Sequence, residues 1–336
     1  MTTAIVLVVG AGGVGKTTMA AAIAADAARA GARTLVLTVD PARRLADALG
    51  IDVGNHPVAV PGMDQMSAAM LDAAASWEAI VRAHADEAVA ERLVRNSLFR
   101  AVADRFPSGQ AYAAAEEMTA HAESGEWDVL VVDTPPSAGG IDFLASPRRM
   151  RSLVAGRALR WLTGPGIPGR RALYAVTARP ALKIADAVLG GPLLEDVAEF
   201  LLDLRETYDG ISRRSKQVER AMRSAATVVV TTADPAPIRE AVRFVEELPE
   251  WASPPGVVVF NRSLPAEWAH AVAEPKDALD ANLARWGLEA ERQGDVRAEL
   301  AARYGVEPVV IPWLAEMPAS PTALADLAET IITFEE

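Results

Sequence analysis

The chain has 336 residues, half of them apolar, no cysteine, and a formal net charge of −12. It can bury a full core without staples, and the missing thiols exclude disulfides, thiolate zinc sites, iron–sulfur clusters and cysteine nucleophiles together. The acidic balance argues against nucleic acid as a partner, no apolar run reaches the ~18–20 residues of a membrane span, and the expected location is cytoplasmic.

The apolar run Ala4 to Val9 predicts a buried strand. It leads into Gly10-Ala11-Gly12-Gly13-Val14-Gly15-Lys16-Thr17-Thr18, and an alanine-rich helix runs from Met19 to Gly31. Strand, glycine loop and helix in this order match G-x-x-x-x-G-K-[ST] at every position, the pattern that cradles nucleotide phosphates. Glycines let backbone N–H groups turn inward around an anion, and the helix start adds partial positive charge. Lys16 is placed to neutralise the β- and γ-phosphates and the Thr17 hydroxyl to ligate Mg²⁺. Only four of the 33 basic residues are lysine, and one stands here. A chain that otherwise prefers arginine keeps lysine where its compact charge is the better fit.

A second strand, Thr34 to Val39, ends at Asp40-Pro41 and is followed by a helix from Ala42 to Leu49. Strand, helix, strand at this spacing predicts a right-handed βαβ unit in a parallel sheet. A short strand is expected within residues 62–70. From Leu71 to about Glu123 the pattern is helical, with Leu93, Val94, Leu98, Val102 and Phe106 forming one stripe. Val129 to Val132 then form an apolar strand ending in Asp133, the position of the carboxylate that lies beside Mg²⁺ in phosphate-loop enzymes.

Residues 143–185 contain no acid but nine basic residues, interspersed with Leu153, Leu159, Trp161 and Leu162 among other apolar side chains. This composition suits either a pair of solvated helices or a surface for an acidic partner or an anionic membrane. Leu193, Leu194, Val197, Leu201, Leu204 and Tyr208 make a helical stripe. Strands are expected at Thr227–Thr232, Gly256–Phe260 and Pro308–Ile311, with helices at Pro237–Leu248, Pro265–Tyr304 and Thr322–Phe334. The fold expected is α/β: a three-layer phosphate-loop NTPase with a mostly parallel central sheet and an inserted helical subdomain. It forms one domain over residues 1–336, with helical insertions at about 71–125 and 141–224.

Four islands carry a family resemblance: Gly12 to Thr18, Thr38-Val39-Asp40-Pro41-Ala42, Asp133-Thr134-Pro135-Pro136, and Val257-Val258-Val259-Phe260-Asn261. On these the chain resembles the ArsA family of ATPases, which includes arsenite-pump ATPases and ATPases that target tail-anchored membrane proteins. The stretch Ser108 to Arg149 is most similar to a bacterial branch of anion-transporter ATPases.

The resemblance implies an ATP- and Mg²⁺-dependent ATPase that works as a homodimer, or as a heterodimer with a second ArsA-like chain. A helical subdomain would couple nucleotide state to a client or, through 143–185, to a membrane. It implies that Gly12, Gly13, Val14, Gly15, Lys16, Thr17 and Thr18 hold the phosphates and magnesium. Asp40 would orient the attacking water, Asp133 would serve the metal, and Asn261 and Pro312 would meet the adenine. Asn261-Arg262-Ser263-Leu264 lacks the acid of a guanine-reading motif. Ala11 stands where the family carries a lysine that reaches the partner subunit's phosphates, which leaves a weakly active regulatory subunit as an alternative. A positioning ATPase of the MinD/ParA kind is a third reading, although the acidic tail would be repelled by anionic lipid. Arg43 and Arg44 replace the residues that follow the alanine in the targeting ATPases; one of them could face phosphate as a cation acting within its own chain, the rival to a partner's lysine, or both could cover the surface, and the sequence does not decide.

Overall fold

A computed structural model describes residues 2–40, 42–105, 107–136, 138–156, 193–270, 277–318 and 320–328. They fall into two compact units: Met1–Leu71, Met118–Leu144 and Ala221–Glu336 form one, and Asp72–Glu117 with Ala145–Arg220 form the other.

The first unit is built on an eight-stranded sheet. In chain order its strands are β1 (Ala4–Gly10), β2 (Thr34–Thr38), β3 (Val58–Ala59), β4 (Met66–Met70), β5 (Val129–Asp133), β6 (Ala226–Thr231), β7 (Val257–Ser263) and β8 (Glu307–Pro312). Their spatial order is β3-β4-β2-β5-β1-β6-β7-β8. Every pair is parallel except β3–β4, where Val58 and Ala59 lie antiparallel to Ala68 and Ser67. The central strands are apolar on both faces because helices cover both, as parallel sheets require. The fold is therefore the expected three-layer α/β NTPase architecture.

On one face Val6, Val8, Val36, Val131 and Val230 pack against helix α1 (Lys16–Arg29), with α2 (Arg44–Leu49) and the C-terminal helix Pro321–Ala328 joining the same core. Helix α1 is buried almost all round; Ala20 to Ala25 lie within 1% of full burial. Alanine suits such a helix because it has high helix propensity and lets neighbours approach closely. On the opposite face helix Pro235–Glu247 lies against β1 and β6.

The second unit is helical. Helices α3 (Ala73–His84), α4 (Glu87–Arg95), α5 (Ser97–Arg105), α6 (Pro107–Glu123) and α7 (Ala138–Ala155) are followed by α8 (Leu193–Glu206) and α9 (Tyr208–Ser224). The parts of these helices within the unit bury Trp77, Leu93, Phe99, Tyr112, Met150, Phe200 and Ile211 in one core. The stripe expected to run unbroken from Leu93 is interrupted at Asn96, whose side-chain oxygen accepts the Leu98 amide and starts α5 as a separate helix. Asp72 caps α3 in the same manner, accepting from the Ala74 and Ala75 amides.

Within this unit two arginines of the acid-free segment are engaged internally. Arg148 donates two hydrogen bonds to Glu219 Oε1, at 3.0 and 2.8 Å, and Arg151 donates one to Oε2 at 3.3 Å. Arg157 to Lys183 of that segment lie outside the described residues. Strand β3 was not foreseen, since two residues carry no periodicity. Helix Pro265–Tyr304 is instead a 3₁₀ turn, Ala266–His270, and a helix α11 from Ala278 to Tyr304, with residues 271–276 outside the description. Helix Pro235–Glu247 becomes α10 in this numbering and Pro321–Ala328 becomes α12; the described part of the latter ends before the expected Phe334.

Candidate active site

The site lies at the carboxyl ends of β1, β2, β5 and β7, where open α/β sheets present their loops. The phosphate loop leaves β1 at Gly10, whose φ of 150° brings it so close to β6 that a Cβ would sit 2.0 Å from the Val230 carbonyl oxygen. The loop ends at Gly15 (φ 97°), where a Cβ would lie 2.4 Å from Asn261 Nδ2. A side chain at Gly10 would meet backbone and displace the loop, and one at Gly15 would be strained by its positive φ and push Asn261 aside.

Lys16, the first residue of α1, is 7% exposed and donates from Nζ to the Ala11 carbonyl at 2.9 Å. Burial holds its ammonium below the ordinary lysine range, opposed chiefly by the charge of Asp133. Thr17 Oγ1 donates to Asp133 Oδ2 at 2.8 Å, and Thr38 Oγ1 donates to the same oxygen at 3.1 Å. Asp133 is 1% exposed, and its Oδ1 has no hydrogen-bond partner among the described residues. Burial pushes this carboxyl up, with the Thr17 hydrogen bond and the Lys16 charge opposing.

A buried carboxylate oxygen left unpaired beside a threonine hydroxyl is costly unless a cation or its water completes it. All the donors are hard oxygens, the set that suits Mg²⁺. Among the described residues no cluster of three His, Asp or Glu could hold a metal alone. The residues present therefore fit a cation that arrives with phosphate oxygens: Thr17 would ligate it and Asp133 would lie beside it.

Asp40 follows β2. Its amide donates to Thr38 Oγ1 at 3.2 Å, so the hydroxyl that reaches Asp133 also fixes the start of this loop. Asp40 Oδ1 accepts the Ala42 amide at 2.9 Å, and Oδ2 accepts Arg44 Nη1 at 2.8 Å. The Val39 amide donates to the Asp133 carbonyl. Thr134 is pinned in turn by its hydroxyl bond to the Val8 carbonyl, 2.9 Å. The loops after β2 and β5 are thus tied to one another and to β1 through two threonine hydroxyls.

Asn261 and Pro312 meet at a second part of the site. They line a cavity of about 180 Å³ together with Gly15, Thr18, Trp313 and Met317. Asn261 Nδ2 donates to the Val14 carbonyl at 2.8 Å and its Oδ1 accepts the Arg262 amide at 2.9 Å. One amide N–H and one lone pair remain, the complement of the adenine N7 and N6–H edge. Arg262 holds φ at 56°, the one positive value off glycine among the described residues, at the irregularity between β7 and β8. Gly12, Gly13, Val14 and Thr18 complete the loop; Trp313 and the backbone of Arg262 are site features to which no motif gave a role. Thr38 stands in the second island, but its contact with Asp133 becomes visible only through its register opposite that residue.

Comparison with known proteins gives the same direction. Residues 3–284 match the family described as anion-transporting ATPase, a range that includes β1 to β7 and ends within α11, short of Pro312. ATPase GET3 of Mycosarcoma maydis is 25% identical over 260 residues, covering 76% of this chain and 71% of that protein. The ATPase get3 of Aspergillus terreus is 26% identical over 262 residues, covering 77% and 73%. An uncharacterised protein of Streptomyces coelicolor is 35% identical over 196 residues, covering 54% of this chain and half of that protein. No helix among the described residues is long and apolar enough to cross a membrane. A match that spans most of the chain, with relatives named as ATPases aligned over three quarters of it, settles the assignment: this chain belongs to the ArsA family of anion-transporting ATPases.

Proposed function

We propose that this chain binds ATP with Mg²⁺ in the loop Gly12 to Thr18 and hydrolyses it as a dimer, its nucleotide state governing a client-binding helical surface. The observation that carries the reading is the meeting of Lys16, Thr17 and the half-satisfied carboxylate of Asp133 at the carboxyl end of the sheet.

The chemistry follows from these positions. Lys16 and the loop amides hold the β- and γ-phosphates. Thr17 would ligate Mg²⁺ with Asp133 beside it, and the ion would supply positive charge against the phosphates. Asp40 retains acceptor capacity on both oxygens after its contacts with Ala42 and Arg44, so it can accept a hydrogen bond from the attacking water. Asn261 and Pro312 meet the adenine in the adjoining cavity. The client is a membrane protein or a membrane surface, by resemblance to the targeting ATPases. The dimer is a homodimer or a heterodimer with a second ArsA-like chain: Ala11 carries no cation and Lys16 is bonded to its own loop, so a cross-subunit charge has to come from a sister chain unless this chain supplies its own.

The test is Lys16→Ala. Removing a charge-assisted phosphate contact should weaken ATP binding by about tenfold or more in calorimetry. Equal affinity for variant and parent would remove the nucleotide from this loop.

A further inference from the structure

Two arginines follow Asp40, and the structure separates them. Arg43 pairs with Asp52; both side chains are largely exposed. Arg44, the first residue of α2, pairs instead with Asp40 at 2.8 Å, using one Nη1 donor. Its remaining guanidinium N–H groups have no hydrogen-bond partner among the described residues, and its side chain is 59% exposed. Asp40 donates from its amide to the Thr38 hydroxyl, which donates to Asp133, the carboxylate that accepts Thr17 of the phosphate loop, so Arg44 is tied into this series and Arg43 is not. A guanidinium with donors left over, beside the carboxylate proposed to hold the attacking water, can meet an anion there.

We infer that Arg44 is a catalytic residue acting within its own chain, its guanidinium contacting the γ-phosphate while it holds Asp40. This rests on the nucleotide site proposed above and names a member of it. Arginine fits the role because its planar fork can keep one bond to a carboxylate and still offer parallel donors to a phosphate. A lysine at the same place would have to choose between them.

In hydrolysis the water oxygen bonds to the γ-phosphorus as the bond from phosphorus to the β–γ bridging oxygen breaks. The leaving electron pair stays on ADP, one water proton stays on the attacking oxygen, and the other passes to a phosphate oxygen. The products are ADP and inorganic phosphate. Arg44 gives and takes no proton; it meets negative charge on the γ-phosphoryl oxygens and keeps the Asp40 carboxylate turned toward the water. Such a cation is worth about 10³-fold or more in related phosphoryl transfers. The consequence for assembly is that a partner chain is not needed to supply it.

The experiment compares the purified parent chain with Arg44→Ala, Arg44→Lys and Arg43→Ala. Calorimetry reads the affinity for ADP and for a non-hydrolysable ATP analogue, and steady-state kinetics read kcat. Arg44→Ala should lose about tenfold in affinity for the triphosphate analogue, leave ADP affinity unchanged, and lower kcat by about 10³-fold or more. Arg44→Lys should recover part of the triphosphate affinity but little of kcat. Arg43→Ala should match the parent in every reading. If Arg44→Ala discriminates triphosphate from diphosphate as the parent does, Arg44 does not touch the γ-phosphate and the inference is overturned. If the parent binds neither nucleotide, the site itself is wrong, which is a separate result. Should Arg44→Ala fail to fold, Arg44→Gln decides on the same two affinities.

Discussion

At the scale of single residues, the site is a chain of hydroxyl and carboxylate contacts. Thr17, Asp133, Thr38 and Asp40 are linked in series, with the last two joined through the Asp40 amide. Because Asp40 touches no residue of the phosphate loop through its carboxylate, its role in turnover separates from binding. Asp40→Asn should keep ATP affinity within about twofold and lower kcat by about 10²-fold, the usual scale for a positioned acid–base group. Single-turnover kinetics beside calorimetry would check this, and an unchanged kcat would make Asp40 structural. Much of this chain was legible in the sequence. Lys16, Thr17 and Asp133 sit in contiguous motifs whose letters encode the chemistry. The roles of Thr38, Arg44 and Arg262 were not legible, because their significance comes from strand register, from a choice between two adjacent arginines, and from a backbone angle.

At the scale of elements, strands were readable where apolar runs were long enough to be buried on both faces, and unreadable at Val58–Ala59. The long helical stretch after Leu71 was readable as helical but not as four helices, since Asn96 breaks it by a local side-chain bond that periodicity does not register. The parallel pairing of β2 with β5 has its own clamp at the end opposite the site. Arg33 Nη2 lies 2.7 Å from Asp128 Oδ1, and its Nε and amide both donate to Oδ2 at 3.0 Å. The Arg33 guanidinium and amide bonds hold the Asp128 carboxyl down at about 2, below the ordinary 3.8. A lowered folded value means stability present above the unfolded value and lost as pH falls. The contribution should therefore be full above pH 3.8 and fade toward pH 2. Observing the Asp128 carboxyl by NMR titration should place its midpoint near the lower figure, and Arg33→Ala, which removes the guanidinium but keeps the backbone amide bond, should raise it part of the way back. A midpoint unmoved by that substitution would show that the clamp does not form in solution.

At the scale of the whole molecule, the three-layer fold and the helical second unit agree with the class expected from the sequence. The described part of the acid-free segment shows a contact that composition does not carry. Arg148 and Arg151 are drawn inward by Glu219, a residue some seventy positions away that no reading of the segment itself would supply. Replacing Arg148 by Glu would place two carboxylates together within the second unit, so it tests folding before it tests any partner. The proposed dimer belongs to this scale as well. Sedimentation of the 35.5 kDa chain should show about twice that mass with Mg²⁺ and a non-hydrolysable ATP analogue, and less association with ADP. A monomer under both conditions would argue for a sister chain, or for an ATPase complete in one copy with Arg44 as its cation.

The chemical setting of Lys16 gives the molecule an unusual handle for covalent labelling. Its amine is buried, its pKa is lowered by that burial, and it belongs to a set of four lysines in the whole chain. An amine of lowered pKa keeps a larger neutral fraction near pH 7, and only the neutral form attacks an acyl donor. An acyl phosphate built on ATP would bring its carbonyl to this nitrogen, form an amide there and depart as ATP. With so few competing amines, the mass of a single tagged peptide would report site occupancy directly in a crude lysate, without purification or an assay of turnover.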